Sequence, residues 1–142
     1  IHEDKEYELE FKYPQNWKLV NSQDNNAVRI LNIISPEFDR SAEGKVITFR
    51  IFKNRIHKSL EDLKEAIIRD GKMGNIENSN IKIIGNDRIS YDFKYKDKYG
   101  HGFNVLADTF EIELSVISTS KELETETRKL FNYLISTFRF KE

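Results

Sequence analysis

The chain has 142 residues, the length of one ordinary domain, and can bury about 70% of its unfolded surface in a single core. Its 23 basic and 24 acidic side chains leave a net charge of -1, a balance unlike the strongly basic face of a nucleic-acid binder. It has no cysteine, which excludes disulfides, thiolate metal sites and thiol catalysis, and no apolar run approaches the ~18 residues of a membrane span. The first residue is Ile1 and the one methionine is Met73, so a removed leader or a trimmed terminus is expected upstream.

Tyr7, Leu9, Phe11 and Tyr13 alternate with Glu8, Glu10 and Lys12, which predicts a strand with one buried and one solvated face. Pro14 removes a ladder donor and biases Tyr13 toward extended geometry, so the strand ends there. Pro14, Gln15 and Asn16 read as a turn. Trp17, the single tryptophan, opens a return segment through Val20. This stretch predicts a hairpin corner, with the Trp17 ring largely buried at the sheet end near the second helix. Asn21 to Asn26 reads as polar loop. Ala27 to Ser35 and Val46 to Phe52 are apolar on both faces, so both are expected to be interior strands. Pro36 to Lys45 between them reads as a charged loop.

Ser59 followed by Asp62 is a weak capping box that opens a first helix. Leu60, Leu63 and Ile67 share its apolar face. Gly71 is the expected stop, reinforced by Gly74. Three alternating strands follow, around Ile89 to Tyr95, Phe103 to Ala107 and Phe110 to Val116. Turn residues join them as an antiparallel meander. Thr119 and Glu122 form a second capping box, and Leu123, Thr127, Leu130, Phe131 and Leu134 recur with helical spacing. Thr137 to Phe140 alternates again and predicts a short last strand. The expected architecture is α+β: one domain over residues 1–142, a mostly antiparallel β-sheet flanked by two helices.

Residues with chemistry are scattered. His2 is expected in a frayed terminus, His57 in a loop and His101 in a hairpin turn, with no metal-ligand spacing among them. His101 could meet Asp97 or Asp108 if the hairpin tips converge. "DGKMGN" lacks the phosphate-loop frame and follows a helix, so helix capping explains its glycines better. Asp108, Glu111 and Glu113 gather near one turn, but Glu111 and Glu113 read as a solvated strand face. A hard-cation site needs several converging oxygens. No metal and no cofactor is therefore expected. Arg88, Lys94, Lys96 and Lys98 form a basic stripe on the wet side of a hairpin. The stripe suits solubility and edge protection, or a docking surface for an acidic partner or anionic lipid headgroups. With Tyr95, Tyr99 and His101 it is the candidate binding surface. Tyr91, Tyr95, Tyr99 and His101 form the one aromatic-polar cluster that could line a ligand cleft.

The order of elements, the Phe11, Tyr13, Pro14, Trp17 corner, Ser35-Pro36 after the second strand block and the closing "ISTFRF" resemble the PsbP-like family. These are extrinsic proteins of photosystem II and their prokaryotic relatives, and the likeness runs over nearly the whole chain. It implies an antiparallel sheet sandwiched by helices, an extracytoplasmic location behind a signal peptide or lipid anchor, and a non-catalytic accessory role. Plant members engage the photosystem through a segment ahead of the domain. Six residues precede the first expected strand here, so that interaction is not carried over. The function expected is a monomeric, non-enzymatic accessory or binding domain for a protein or membrane-associated partner. Two other readings remain open: a small-ligand carrier or enzyme with a non-sequential cleft, and an intracellular small-GTPase regulator of the same fold.

Overall fold

Alternating aromatic and β-branched residues build two antiparallel sheets in the computed structural model, which describes residues 1–41, 43–119 and 124–141. Seven strands make the large sheet: β3 (Lys18–Asp24), β4 (Val28–Ile34), β5 (Lys45–Phe52), β6 (Glu77–Ile84), β7 (Arg88–Tyr95), β8 (Lys98–Leu106) and β9 (Glu111–Ser118). Their spatial order is β3-β4-β5-β9-β8-β7-β6. The apolar β5 lies centrally, between β4 and β9, as its two apolar faces predict. A small sheet of β1 (His2–Asp4), β2 (Leu9–Phe11) and β10 (Arg139–Phe140) has the order β1-β2-β10.

Helix α2 (Leu60–Met73) packs mainly over β6 and β7, while α3 (Glu124–Thr137) packs over β8, β9 and β2. Phe49, Phe103, Leu114 and Val116 of the large sheet share one core with Leu9 and Phe11 of the small sheet and Phe131 and Leu134 of α3. The core thus lies on the α3 side. Thr127, Phe131 and Leu134 are the buried positions of α3, at the spacing that aligns one helical face. Leu130 is half-buried against the same core. The proposed capping partner Glu122 and Leu123 lie outside the described residues.

Several local expectations change. The corner at Pro14 is a turn, closed by the Trp17 amide donating to the Pro14 carbonyl at 3.1 Å, but it is not a hairpin. β2 pairs with β1 and β10, whereas β3 pairs with β4. The proline therefore moves the chain from the small sheet to the large one. Trp17 packs on the core and is partly buried, short of the complete burial of Phe11. The expected loop at 21–26 is mostly strand, because β3 continues to Asp24. The stretch after Ser35 begins with the short helix α1 (Pro36–Ser41), with Pro36 at a first-turn position that lacks no needed donor. Gly71 sits inside α2, buried, and the cap is Gly74. The reason is β6, which the sequence reading missed: a Cβ at Gly71 would strike the Asn78 side chain. Ser59 caps α2 as expected, its hydroxyl accepting from the Asp62 amide at 3.2 Å.

His2 is not frayed. Its ring lies 5.3 Å from that of Phe11 and 5.4 Å from that of Phe49. Burial lowers its pKa below 6.5, and the nearby Asp4 carboxylate opposes this only in part. The unfolded chain therefore takes up a proton first as pH falls. Stability is full above pH 6.5 and declines as acid approaches the depressed native pKa. The melting temperature is expected to fall between pH 7 and pH 5, and His2→Phe to flatten that limb of the profile. An identical slope in the variant would rule His2 out as the cause.

Candidate functional site

The residues singled out by sequence do not form one site, because side chains alternate across the pleat. Asp92 pairs with His101 and Lys94 with Tyr99 across β7 and β8, so these four lie on the α3 side. Tyr91 and Tyr95 project from the opposite face. His101 is not in a turn. It is 2% exposed, lies within β8, and stacks on Phe131 of α3 at 5.2 Å. Its Nδ1 lies 2.6 Å from an Asp92 carboxylate oxygen. Neither Asp97 nor Asp108 is its partner. Asp92 also accepts from Asn80 at 2.7 Å and from Arg128 at 2.9 Å. Burial opposes ionisation of Asp92, but these hydrogen bonds outweigh it and lower its pKa. Asn80 reaches Asp92 from a bulge in β6, with a left-handed φ of 52°. This network pins α3 and β6 to the sheet, and it removes His101 from the candidate surface.

Arg88 also leaves that surface. Its guanidinium covers the rings of Phe103 and Phe138 at 5.8 and 5.7 Å, and its charge faces Asp87. What remains is the tip of the β7–β8 hairpin. Tyr95 pairs with Lys98, leaving Lys96 and Asp97 as a two-residue turn. Lys96 holds a φ of 54°, a region that disfavours side chains. Its ammonium lies 5.2 Å from the Tyr95 ring centroid, and that of Lys94 lies 5.5 Å from Tyr99. None of Lys94, Lys96 and Lys98 forms an ion pair with a described residue.

The acidic trio does not converge. Asp108 is exposed, whereas Glu111 is 4% exposed. Glu111 Oε1 accepts from the backbone amides of Ile56 and His57 at 2.8 and 2.5 Å, and Oε2 lies 2.9 Å from His57 Nδ1. Glu113 instead receives Arg50 Nη1 at 2.6 Å, directly across the β5–β9 ladder. Among the described residues no three acidic or histidine side chains cluster as metal ligands.

These pairs floor a cleft that the sequence reading did not foresee. Because α2 lies mainly over β6 and β7, the neighbouring face of β8, β9 and β5 is only roofed from one side. The resulting cavity is about 380 Å³, within the size range of small-molecule sites. Leu63, Ala66, Ile67 and Ile76 form an apolar wall. The floor is polar: Arg50 with Glu113, His57 with Glu111, then Asn104 and Tyr91. Tyr91 lies flat over Gly102, where any Cβ would collide with its ring. Asn78 ties β6 to the helix by donating to the Ile67 carbonyl at 2.9 Å. Alternation had marked Asn104, Glu111 and Glu113 only as outward positions, which reads as solvent. The signal that they are covered is long-range, since it depends on α2 crossing that face.

No family model matches the chain, and no curated protein matches it in sequence. Solved structures do. The solution structure of cyanobacterial PsbP from Synechocystis sp. PCC 6803 superposes with a TM-score of 0.72 at 18% identity, covering 98% of this chain and 90% of that one. LpqN of Mycobacterium tuberculosis, which is involved in cell envelope biogenesis, gives 0.52 at 10% identity over 94% of this chain and 83% of its own. The α+β sandwich expected from the sequence is thus the fold found, with a third, short helix added.

Proposed function

From a chain that carries the fold of cyanobacterial PsbP, we propose a non-catalytic, extracytoplasmic accessory domain that docks on an acidic protein partner. The observation that carries this reading is the hairpin tip. Among the described residues Lys94, Lys96 and Lys98 have no carboxylate partner, and two of them rest on tyrosine rings. An interface of this kind combines aromatic anchors with charges that steer association. Strained backbone at Lys96 supports it, because glycine would sit there at no steric cost. The envelope role of LpqN, a distant neighbour in fold, is consistent with a site outside the cytoplasm. No helix among the described residues is long and apolar enough to cross a membrane.

The test is charge reversal. Lys94→Glu, Lys96→Glu and Lys98→Glu together should leave the melting curve within about a degree or two, since all three side chains are exposed. Capture of partner proteins from an envelope extract of the source organism should fall by an order of magnitude or more. It should also weaken with salt in the parent and not in the variant. Unchanged capture by the folded triple variant would move the interface elsewhere.

A further inference from the structure

We infer that the cleft between α2 and the large sheet binds a small molecule with an apolar body and a protonated amine head, independently of any docking at the hairpin tip. The wall and the size of the cleft carry the apolar body. Leu63, Ala66, Ile67 and Ile76 line one side of a cavity of about 380 Å³. An apolar group placed there leaves water together with these side chains.

The floor carries the head group, because the hydrogen-bonding capacity left over on it is acceptor capacity. Arg50, Glu113 and Asn104 form one row across β5, β9 and β8, since Glu113 is the register partner of both Arg50 and Asn104. Directly opposed residues on one face stand within side-chain reach of each other. Arg50 gives Nη1 to Glu113 Oε1 at 2.6 Å, and Glu113 Oε2 lies outside that bond. Asn104 is 7% exposed, and its Oδ1 is buried with no hydrogen-bond partner among the described residues. Buried side-chain oxygens are nearly always bonded, so this one lacks a donor. An ammonium carries three N–H donors and no acceptor. Placed at the Asn104–Glu113 pair, it meets an amide oxygen and a carboxylate at once.

Charge selects the same head. Among the described residues that line the cleft, Arg50 is the only fixed cation, against the carboxylates of Asp70, Glu111 and Glu113. Glu111 is held by the His57 ring and by the amides of Ile56 and His57, while Glu113 takes Arg50. A carboxylate head would meet this negative lining and bring no donor to Asn104. A ketone or ester brings a further acceptor to an oxygen that needs a donor. A hydroxyl supplies one donor but no charge to offset the carboxylates.

Four eight-carbon probes test this on the whole chain by amide-detected NMR: octylammonium, 1-octanol, 2-octanone and octanoate. Octylammonium shifts should map to α2, β8 and β9 and include the Asn104 side-chain amide. It should bind about tenfold tighter than 1-octanol, the difference that one charge-assisted hydrogen bond makes, with 2-octanone and octanoate weaker still. Added salt should weaken octylammonium and leave 1-octanol unchanged. Asn104→Leu should fold and bind octylammonium about fivefold more weakly or worse, as for the loss of one hydrogen bond to a charged group. Asn104→Asp, which keeps an acceptor at the position, should bind it at least as tightly as the parent. If Asn104→Leu fails to fold, Asn104→Ala takes its place. Ile67→Trp, at a half-buried position on the apolar wall, should abolish binding of every probe. No shift on α2, β8 or β9 at millimolar octylammonium overturns the inference. Equal or tighter binding of any of the other three probes overturns it, and so does unaltered octylammonium affinity in Asn104→Leu. The hairpin triple variant should bind octylammonium like the parent, so the two sites stand or fail separately.

Discussion

Leu134→Asp should leave no cooperative unfolding transition at 25 °C. Leu134 is fully buried, one helical turn from Phe131 and one from Phe138, where α3 meets both sheets. A carboxylate placed there would have no cation within the apolar cluster. Such a charge either stays ionised at severe cost or takes up a proton with its pKa driven far upward. The loss of Leu packing adds to this. The combined penalty exceeds the 5–15 kcal/mol margin of an ordinary domain, or consumes most of it. Circular dichroism should show a broad, non-sigmoidal melt. Leu130→Asp, half-buried on the same helix, should be milder and still melt cooperatively. If Leu134→Asp melts like the parent, α3 does not close the core.

Phe11→Ala should destabilise by about 3–5 kcal/mol, the range for large aromatic truncations in a core. Phe11 is fully buried. Its ring lies 5.1 Å from Phe49 of the large sheet, 5.3 Å from His2 and 6.3 Å from Tyr13. It is therefore the main side chain holding the three-residue β2 against the large sheet. A strand so short cannot hold by its ladder alone, because two- and three-stranded ribbons need an apolar face to stand. Trp17→Ala removes a larger ring but costs less, since Trp17 is only half-buried and the effect scales with area withdrawn from water. Denaturant melts of the two variants give the ranking directly. A Trp17→Ala loss equal to or above that of Phe11→Ala would show that the corner, not the inter-sheet contact, holds the small sheet.

How far the amino-acid pattern leads can be judged element by element. Helix α3, the meander β7-β8-β9, the central β5 and the Ser59 cap were all legible. In each, the informative residues are close in sequence: alternation of period two, spacing of three and four, a hydroxyl three residues before an acidic side chain. The antiparallel sandwich followed from their order. Strands β1 and β6 were not legible. His2-Glu3-Asp4 and the polar run from Glu77 to Asn80 carry no apolar alternation. Both become strands because a neighbour's open edge supplies the hydrogen bonds, which a pattern within the segment does not record.

The same reason governs the sites. The basic hairpin was visible, since its lysines fall at every second position through one turn. Which of its neighbours belong to it was not: register sends His101 under α3 and Arg88 onto two phenylalanine rings. Glu111 looked like a solvated residue and is a buried hub for the 53–59 loop, because α2 and that loop cover the face it points from. Local periodicity, set by backbone geometry, settles the type of each element and which side of it turns inward. Pairing partners, the pleat register between distant strands and the face that α2 leaves open depend on contacts between residues far apart in the chain. Those contacts are decided by how the whole apolar surface can be buried at once, and they are what turned separate outward-looking polar residues into the floor of a cleft.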